Sequence, residues 1–453
     1  MWGFKGIHLV LIVSLIARIP HLFSKFVVWD AAVYIGMGKA IFSLGGIGLW
    51  EASRPLVWPF FLGLIWKMGM DPILFGKILT LFFSLGCIYL TYIIGREIFN
   101  NKVGLIAALL LSFSPTFFLG NAALLTAIPS TFFALVGVYF LMKDKFFFSG
   151  ILLGIAFLTR FDQVIILAAL LSLFYFHKKD INIYKKTIVL FLGFLTSLIP
   201  FLLLNHLIFN NPLYPFSVQL FMIKNTGWLW YEPPLFYFIN LLKENILTVF
   251  SIVGLFIVLR SKDYRKWYIL FVFLAFLIAF SAVAHKEMRF MILALPHLYL
   301  LVSLGLFYSF HTLKKLFFPL IAICIFLWLI QTTPQLVAKN PESPVTEFQT
   351  YLNQDLEGSI WLSNPAYTLY SDKKVSLIYY PTFDSETIPK LKEKMQWADH
   401  ILISTCDIQC PPTDLACPEE KELFIAFLKG RFVQAYHKSN GCEEYIFSPI
   451  PPP

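Results

Sequence analysis

Long apolar runs recur along this chain, separated by five short basic loops at residues 95–102, 143–145, 177–186, 260–266 and 311–315. A soluble chain of this size has no use for so many. Hydrophobic residues make up 58% of the 453 positions, charged residues 14%, and phenylalanine alone supplies 49. That balance belongs to a polytopic membrane protein whose helices face lipid and each other. The formal charge of +9 raises the question of nucleic acid. The basic residues bunch in the short loops, however, so the charge reads as a topology signal. Membrane lipids are expected partners and nucleic acid is not. The first apolar stretch, residues 7–19, ends with Arg18 and Ile19 and runs on to Pro20 and Lys25 rather than to a small-residue cleavage site, so no cleavable signal peptide is read there.

Basic loops mark the cytoplasmic side, and each interval between them holds an even number of crossings. Residues 103–142 read as a helical hairpin turning near 120–126. Residues 146–176 hold two short helices whose turn is Thr159-Arg160-Phe161-Asp162. Residues 187–259 hold two helices joined by a polar, aromatic stretch at 210–234. Residues 267–310 hold two more, turning at His285-Lys286-Glu287-Met288-Arg289-Phe290. A last helix, 316–331, carries the tail outward. With the N-terminus inside, parity lets only one of residues 54–70 and 72–95 cross. The longer and cleaner 72–95 is the expected span, and 54–70 is placed at the outer face. The total is about 11 crossings.

Charged residues then gather at the outer face. The long first loop carries Asp30, Tyr34, Lys39, Glu51 and Arg54, and the later turns carry Arg160, Asp162 and His285 to Arg289. Charge at a membrane boundary is costly unless it lines water, meets protein or binds something charged. Cations can hold an anionic leaving group, and a carboxylate can take the proton of an incoming hydroxyl. Plainer readings stand beside this one. Asp30 is placed to N-cap a short helix over 31–42. Glu51 with Arg54, and Arg160 with Asp162, are spaced for local ion pairs. Four ionisable groups in one outer turn, at 285–289, are harder to explain in that way. No paired aspartates or clustered histidines suggest a metal site.

Three features resemble the GT-C superfamily of integral-membrane glycosyltransferases, over residues 1–331. Trp29-Asp30-Ala31-Ala32-Val33-Tyr34 with Arg54-Pro55-Leu56-Val57-Trp58-Pro59, and Leu158-Thr159-Arg160-Phe161-Asp162 with Phe209-Asn210-Asn211-Pro212-Leu213-Tyr214-Pro215, look like the protein O-mannosyltransferase and aminoarabinose-transferase branch. His285-Lys286-Glu287-Met288-Arg289-Phe290 is similar to the HKExRF motif of dolichol-phosphate-mannose-dependent mannosyltransferases. The resemblance implies inverting transfer of a hexose, mannose favoured, from a polyprenyl-phosphate donor. The acceptor would be a lipid-linked glycan, glycolipid or protein hydroxyl at the outer face, and no cofactor is implied. It makes Asp30 the general base, with Glu51 in reserve. It makes Arg160, His285, Lys286 and Arg289 donor-phosphate ligands, and Tyr34, Arg54, Asp162 and Glu287 substrate contacts. Two departures stand out: Ala31 follows Asp30 where many members have a second acid, and the turn Leu125-Thr126-Ala127-Ile128-Pro129 lacks one. The rival class is a transporter or flippase for a lipid-linked sugar, which would more often place charges near the midplane on broken helices in repeated halves. A non-catalytic receptor or assembly subunit using the tail is a third reading.

The tail, 332–453, alternates candidate strands (359–363, 375–380, 400–406) with helices (385–396, 419–429), which suggests a small α/β domain. It reads as either an acceptor-recognition module or a cap. Cys406, Cys410, Cys417 and Cys442 are separated by three, six and 24 residues, unlike paired CxxC knuckles. Zinc or two disulfides remain open, disulfides being favoured outside the cell. The expected whole is an all-α polytopic membrane bundle, 1–331, with a large first outer loop and an extracytoplasmic α/β domain, 332–453.

Overall fold

The computed structural model describes residues 2–24, 27–176, 181–311, 317–337, 358–369, 371–378, 384–395, 397–439 and 441–449. Residues 177–180 of the basic loop expected at 177–186 and 312–315 of the one expected at 311–315 lie outside the described residues, as do the ends of the elements expected at 375–380 and 385–396, while 181–186 form the start of a helix. The chain forms two compact units. One comprises Met1–Ser24, Lys77–Pro212 and Glu232–Asn340, the other Lys25–Gly76, Leu213–Tyr231 and Pro341–Pro453.

The first unit is helical. It contains α1 (Trp2–Leu22), most of α4 (Pro72–Ile98), α5 (Asn101–Ser112), the short α6 (Pro115–Gly120), α7 (Ala127–Met142), α8 (Phe146–Thr159), α9 (Val164–Phe176) and α10 (Ile181–Phe209). After the second unit's α11 (Tyr214–Asn225) it continues with α12 (Phe236–Glu244), α13 (Ser251–Leu259), α14 (Tyr264–Ala282), α15 (Leu295–His311) and α16 (Phe317–Val337). The expected hairpin turns are present. A 3-10 turn, Phe161–Gln163, joins α8 to α9, and another, Met288–Leu293, leads from the 285–290 cluster into α15.

Where lipid replaces water, helices associate by close packing rather than hydrophobic exclusion, and small residues let backbones approach. Gly150 of α8 and Gly193 of α10 do so. A Cβ on Gly150 would collide with Leu190 O, and one on Gly193 with Phe147 O.

Among the described residues, three helices are long and apolar enough to cross a membrane: Pro72–Ile98, Tyr184–Phe209 and Tyr264–Ala282. A bent pair, Phe236–Glu244 with Ile246–Leu259, makes a fourth if its 117° break lies within one span. The other apolar helices that pass the composition test run to 10–17 residues, short of the ~20 that span a bilayer unaided. The count of about 11 is not reproduced on this criterion.

The second unit joins the first loop to the tail. α2 (Trp29–Phe42) and α3 (Val57–Lys67) pack against each other. α2 starts two residues earlier than expected for an Asp30 cap. Val28 is the N-cap residue and caps with no side chain, so Asp30 lies inside the first turn. The tail holds one five-stranded sheet in the order β2-β1-β3-β5-β4, built from β1 (Ile360–Leu362), β2 (Val375–Leu377), β3 (His400–Ser404), β4 (Val433–Ser439) and β5 (Glu443–Ser448). β1 pairs parallel with β2 and β3, with Ile360 opposite Val375 and His400, while β5 is antiparallel to β3 and β4. Helices Thr387–Met395 and Cys417–Arg431 pack over a core of Ile401, Ile403, Phe424, Leu428 and Phe447. The four tail cysteines form two disulfides, Cys406–Cys442 and Cys410–Cys417, which answers the zinc alternative.

Candidate active site

α2 is a compact helix of small and aliphatic residues, with Ala31 through Ala40 buried. Its first turn carries Asp30, where a carboxylate complements the unpaired N–H groups of the helix start. The chain then folds back through residues 51–54, closed by Arg54 N donating to Glu51 O. That turn brings Arg54 beside α2. Arg54 Nη2 lies 2.8 Å from Asp30 Oδ1, its Nε 3.1 Å from Glu51 Oε1, and its Nη1 donates to the Tyr34 hydroxyl at 3.4 Å. The guanidinium also sits 5.6 Å from the Tyr34 ring centroid. Ser53 Oγ donates to the same Glu51 oxygen. Burial works against the Arg54 charge, but Glu51 and then Asp30 outweigh it and hold its pKa well above the ordinary arginine value. Side-chain exposure separates the two acids: 18% for Asp30 against 6% for Glu51. Asp30 is the more accessible of the two acids, and Glu51 is packed into a supporting network.

The helical unit holds the other predicted residues. Arg160 caps the end of α8 and pairs with Asp162 at 2.7 Å. Its Nη1 lies 3.5 Å from Thr126 Oγ1, so a hydroxyl stands on the turn where relatives were expected to have an acid. Glu287 Oε1 pairs with His285 Nε2 at 2.8 Å and accepts from Arg289 Nη2 at 2.7 Å. Burial raises the Glu287 pKa, but His285 and Arg289 together hold it below the ordinary glutamate value. The Tyr237 hydroxyl accepts from Glu287 N, fixing the turn to α12. The Phe290 ring is shared, with the Arg160 guanidinium 5.2 Å and the Arg289 guanidinium 5.7 Å from its centroid. Lys286 differs from its neighbours. It is buried, and its Nζ donates to the backbone carbonyls of Glu232 at 2.6 Å and Ala284 at 3.4 Å. That is a clamp on the chain entering α12.

The ten predicted residues thus form two groups. Asp30, Tyr34, Glu51 and Arg54 interlock in the second unit. Arg160, Asp162, His285, Glu287 and Arg289 gather around Phe290 in the first, with Lys286 turned to backbone carbonyls. Sequence reasoning gave no role to Ser53, Thr126, Tyr237 or Phe290. Phe290 was visible as the last residue of the motif and Ser53 as the neighbour of Glu51 and Arg54, whereas Thr126 and Tyr237 are single polar groups in apolar surroundings. Among the described residues, no group of three or more His, Cys, Asp or Glu gathers as a metal would require.

Comparison with known proteins adds to this picture. A family model described as dolichyl-phosphate-mannose-protein mannosyltransferase matches residues 53–205. No protein of curated function matches in sequence. In fold the chain is similar to ArnT from Cupriavidus metallidurans, solved bound to undecaprenyl phosphate. The TM-score is 0.70 at 11% identity, over 99% of this chain and 98% of that one. It is also similar to the archaeal oligosaccharyltransferase AglB from Archaeoglobus fulgidus, solved with an inhibitory peptide and a dolichol-phosphate. There the TM-score is 0.65 at 11% identity, over 89% and 69% of the two chains. The chain thus shares the fold of ArnT and AglB, and its residues 53–205 match the mannosyltransferase family model.

Proposed function

We propose that this protein is an inverting glycosyltransferase that moves a hexose, mannose favoured, from a polyprenyl-phosphate donor to a hydroxyl. The acceptor class is a lipid-linked glycan, a glycolipid or a protein side chain at the outer membrane face. The observation that carries the reading is the Asp30–Arg54 pair, partly exposed and only 2.8 Å apart, on a fold shared with ArnT, whose structure contains undecaprenyl phosphate. Asp30 is the general base. It accepts the acceptor's hydroxyl proton as the oxygen attacks the anomeric carbon, and the bond from that carbon to the phosphate oxygen breaks with its electron pair leaving on the phosphate. Arg54 holds the orientation of the Asp30 carboxylate.

Arg160, Arg289 and His285 are the groups suited to an anionic donor phosphate, since guanidinium groups bind phosphate oxygens through paired N–H donors. Lys286 contributes to the turn's rigidity. The two tail disulfides support an extracytoplasmic C-terminal domain, because such bonds persist in oxidising compartments. The basic loops support a cytoplasmic N-terminus.

The test is sugar transfer by purified protein in detergent, with labelled polyprenyl-phosphate mannose and a membrane lipid extract, with and without EDTA. Label should enter product with the wild type and not with Asp30→Asn, and EDTA should make no difference. Full activity of Asp30→Asn would remove the base assignment and turn attention to Glu51.

A further inference from the structure

α2 presents two opposite faces. At roughly 100° per residue, Asp30 and Tyr34 lie on one side of the helix, and Ala32, Gly36 and Lys39 on the other. The first face meets Arg54. The second meets the tail. Thr368 Oγ1 lies 3.5 Å from Ala32 O, and a Cβ on Gly36 would come 3.2 Å from the same hydroxyl oxygen. Lys39, in the last turn of α2, is 3% exposed. Its Nζ is surrounded by Asp372 Oδ1 at 2.9 Å, Thr368 O at 3.0 Å, Ser371 O at 3.1 Å and Leu369 O at 3.4 Å. Two of those carbonyls belong to the 3-10 turn Pro365–Leu369, where such groups lack helical partners. A buried ammonium is tolerated only when it is paired and hydrogen-bonded throughout, and this one is.

The backbone adds a second tie. Gly48 N donates to Lys373 O at 2.8 Å, Val375 N to Gly48 O at 2.9 Å, and Leu49 N to Gly36 O at 3.2 Å. Residues 48–49 therefore lie between α2 and the start of β2, extending the tail's sheet by one parallel bridge.

From this geometry we infer that Lys39 is the positioning residue for Asp30, and that the C-terminal domain is the platform on which the base-bearing helix is seated. Lys39 touches no substrate. It fixes the rotation and height of α2, which sets where the Asp30 carboxylate stands. The inference rests on Asp30 being the base.

The experiment compares Lys39→Met, Lys39→Arg, Asp372→Asn and Asp30→Asn in the full-length protein. It reads kcat, donor KM, and amide exchange across residues 29–42. Lys39→Met should lower kcat by about 10²-fold, as small misplacements of a reacting group do, with donor KM within about threefold of wild type. Exchange across α2 should accelerate, and Lys39→Arg should recover most of kcat. Unchanged kcat in Lys39→Met, or a rise in donor KM with kcat intact, would overturn the inference. Should Lys39→Met not extract as folded protein, Asp372→Asn decides, because that carboxylate is 60% exposed and the variant should fold. A severalfold lower kcat is expected, and an unchanged one overturns the proposal. The two readings separate cleanly. An active Asp30→Asn removes the base assignment, whereas an inactive Asp30→Asn with a fully active Lys39→Met removes only the role of Lys39.

Discussion

Arg54 Nη2 stands 2.8 Å from Asp30 Oδ1, which ties the loop at residues 51–54 to the first turn of α2. The same guanidinium reaches Glu51 through Nε, so one cation serves two carboxylates of unequal exposure. Removing it leaves two partly desolvated anions without their shared partner.

Arg54→Met is therefore expected to lower kcat/KM for sugar transfer by roughly 10²- to 10³-fold, the usual scale for deleting a charged group at a reacting centre. Arg54→Lys should retain only part of the activity, because a point charge cannot engage Asp30 and Glu51 at once. Steady-state kinetics on both variants checks this. Wild-type rates in Arg54→Met would mean the pair is structural only.

Glu287 holds the turn before α15 by accepting from both His285 and Arg289. Its folded-state pKa is depressed, so the stabilisation is present above the ordinary glutamate value of 4.5 and is lost as pH falls through the lower folded value. Glu287→Gln should lower the apparent unfolding temperature at pH 7, with a cost of about 1–3 kcal/mol for the two charge-assisted bonds. The gap should close below pH 4.5. Thermal scans in detergent at two pH values measure it, and a gap that persists in acid would assign the effect to packing.

Much of this architecture is legible in the sequence because it is local. Basic loops located the hairpins, and turns at 159–162 and 285–290 followed from where apolar runs break. The strands at 360–362 and 400–404 are short apolar runs bounded by polar residues. β4, Val433–Ser439, escaped because its side chains are mostly polar and solvent-facing, which leaves a weak alternation to read. The partners of Lys39 lie 329 to 333 residues away, and Glu232 lies 54 residues from Lys286. No local pattern announces a bond from an ammonium to a distant carbonyl. Counting crossings by charge parity also takes each apolar run between basic loops to hold full spans, whereas several of these helices stop at 12–16 residues.

Asp407 makes the tail's stability depend on pH. Burial pushes its carboxyl up to about 7, against the donors Ser363 and Asn364, with Glu444 adding to the rise. The folded tail therefore binds this proton more tightly than the unfolded chain. The contribution is complete below the ordinary value of 3.8 and is lost as pH rises through about 7. The loss is on the order of 2–4 kcal/mol, allowing for partial exposure of the residue. Tail-specific proteolysis of the full chain should be faster at pH 8 than at pH 5.5, after correction for protease activity, and Asp407→Asn should flatten the difference. An unchanged profile in that variant would place the titrating group elsewhere.

Gly38 is where α2 crosses α3, and no side chain fits there. A Cβ at Gly38 would come 2.5 Å from Pro59 O and 2.6 Å from Gly63 N. Both obstacles are backbone, so neither can swing aside and the helices themselves must separate. Gly38→Ala should cost about 1–3 kcal/mol as an overpacked contact. Moving α2 also moves Asp30, so transfer activity should fall by more than the loss of folded protein explains. Gly430 supplies the control, since its Cβ would meet nothing within 4 Å. Gly430→Ala lies near the end of a helix and should be neutral or slightly stabilising, because alanine loses less backbone entropy there than glycine does. Unfolding temperatures and specific activities of the two variants, measured on equal amounts of monodisperse protein, decide the matter. A fully active Gly38→Ala would show that the placement of α2 tolerates a shift of the crossing, and would weaken the case that the base is held by helix packing.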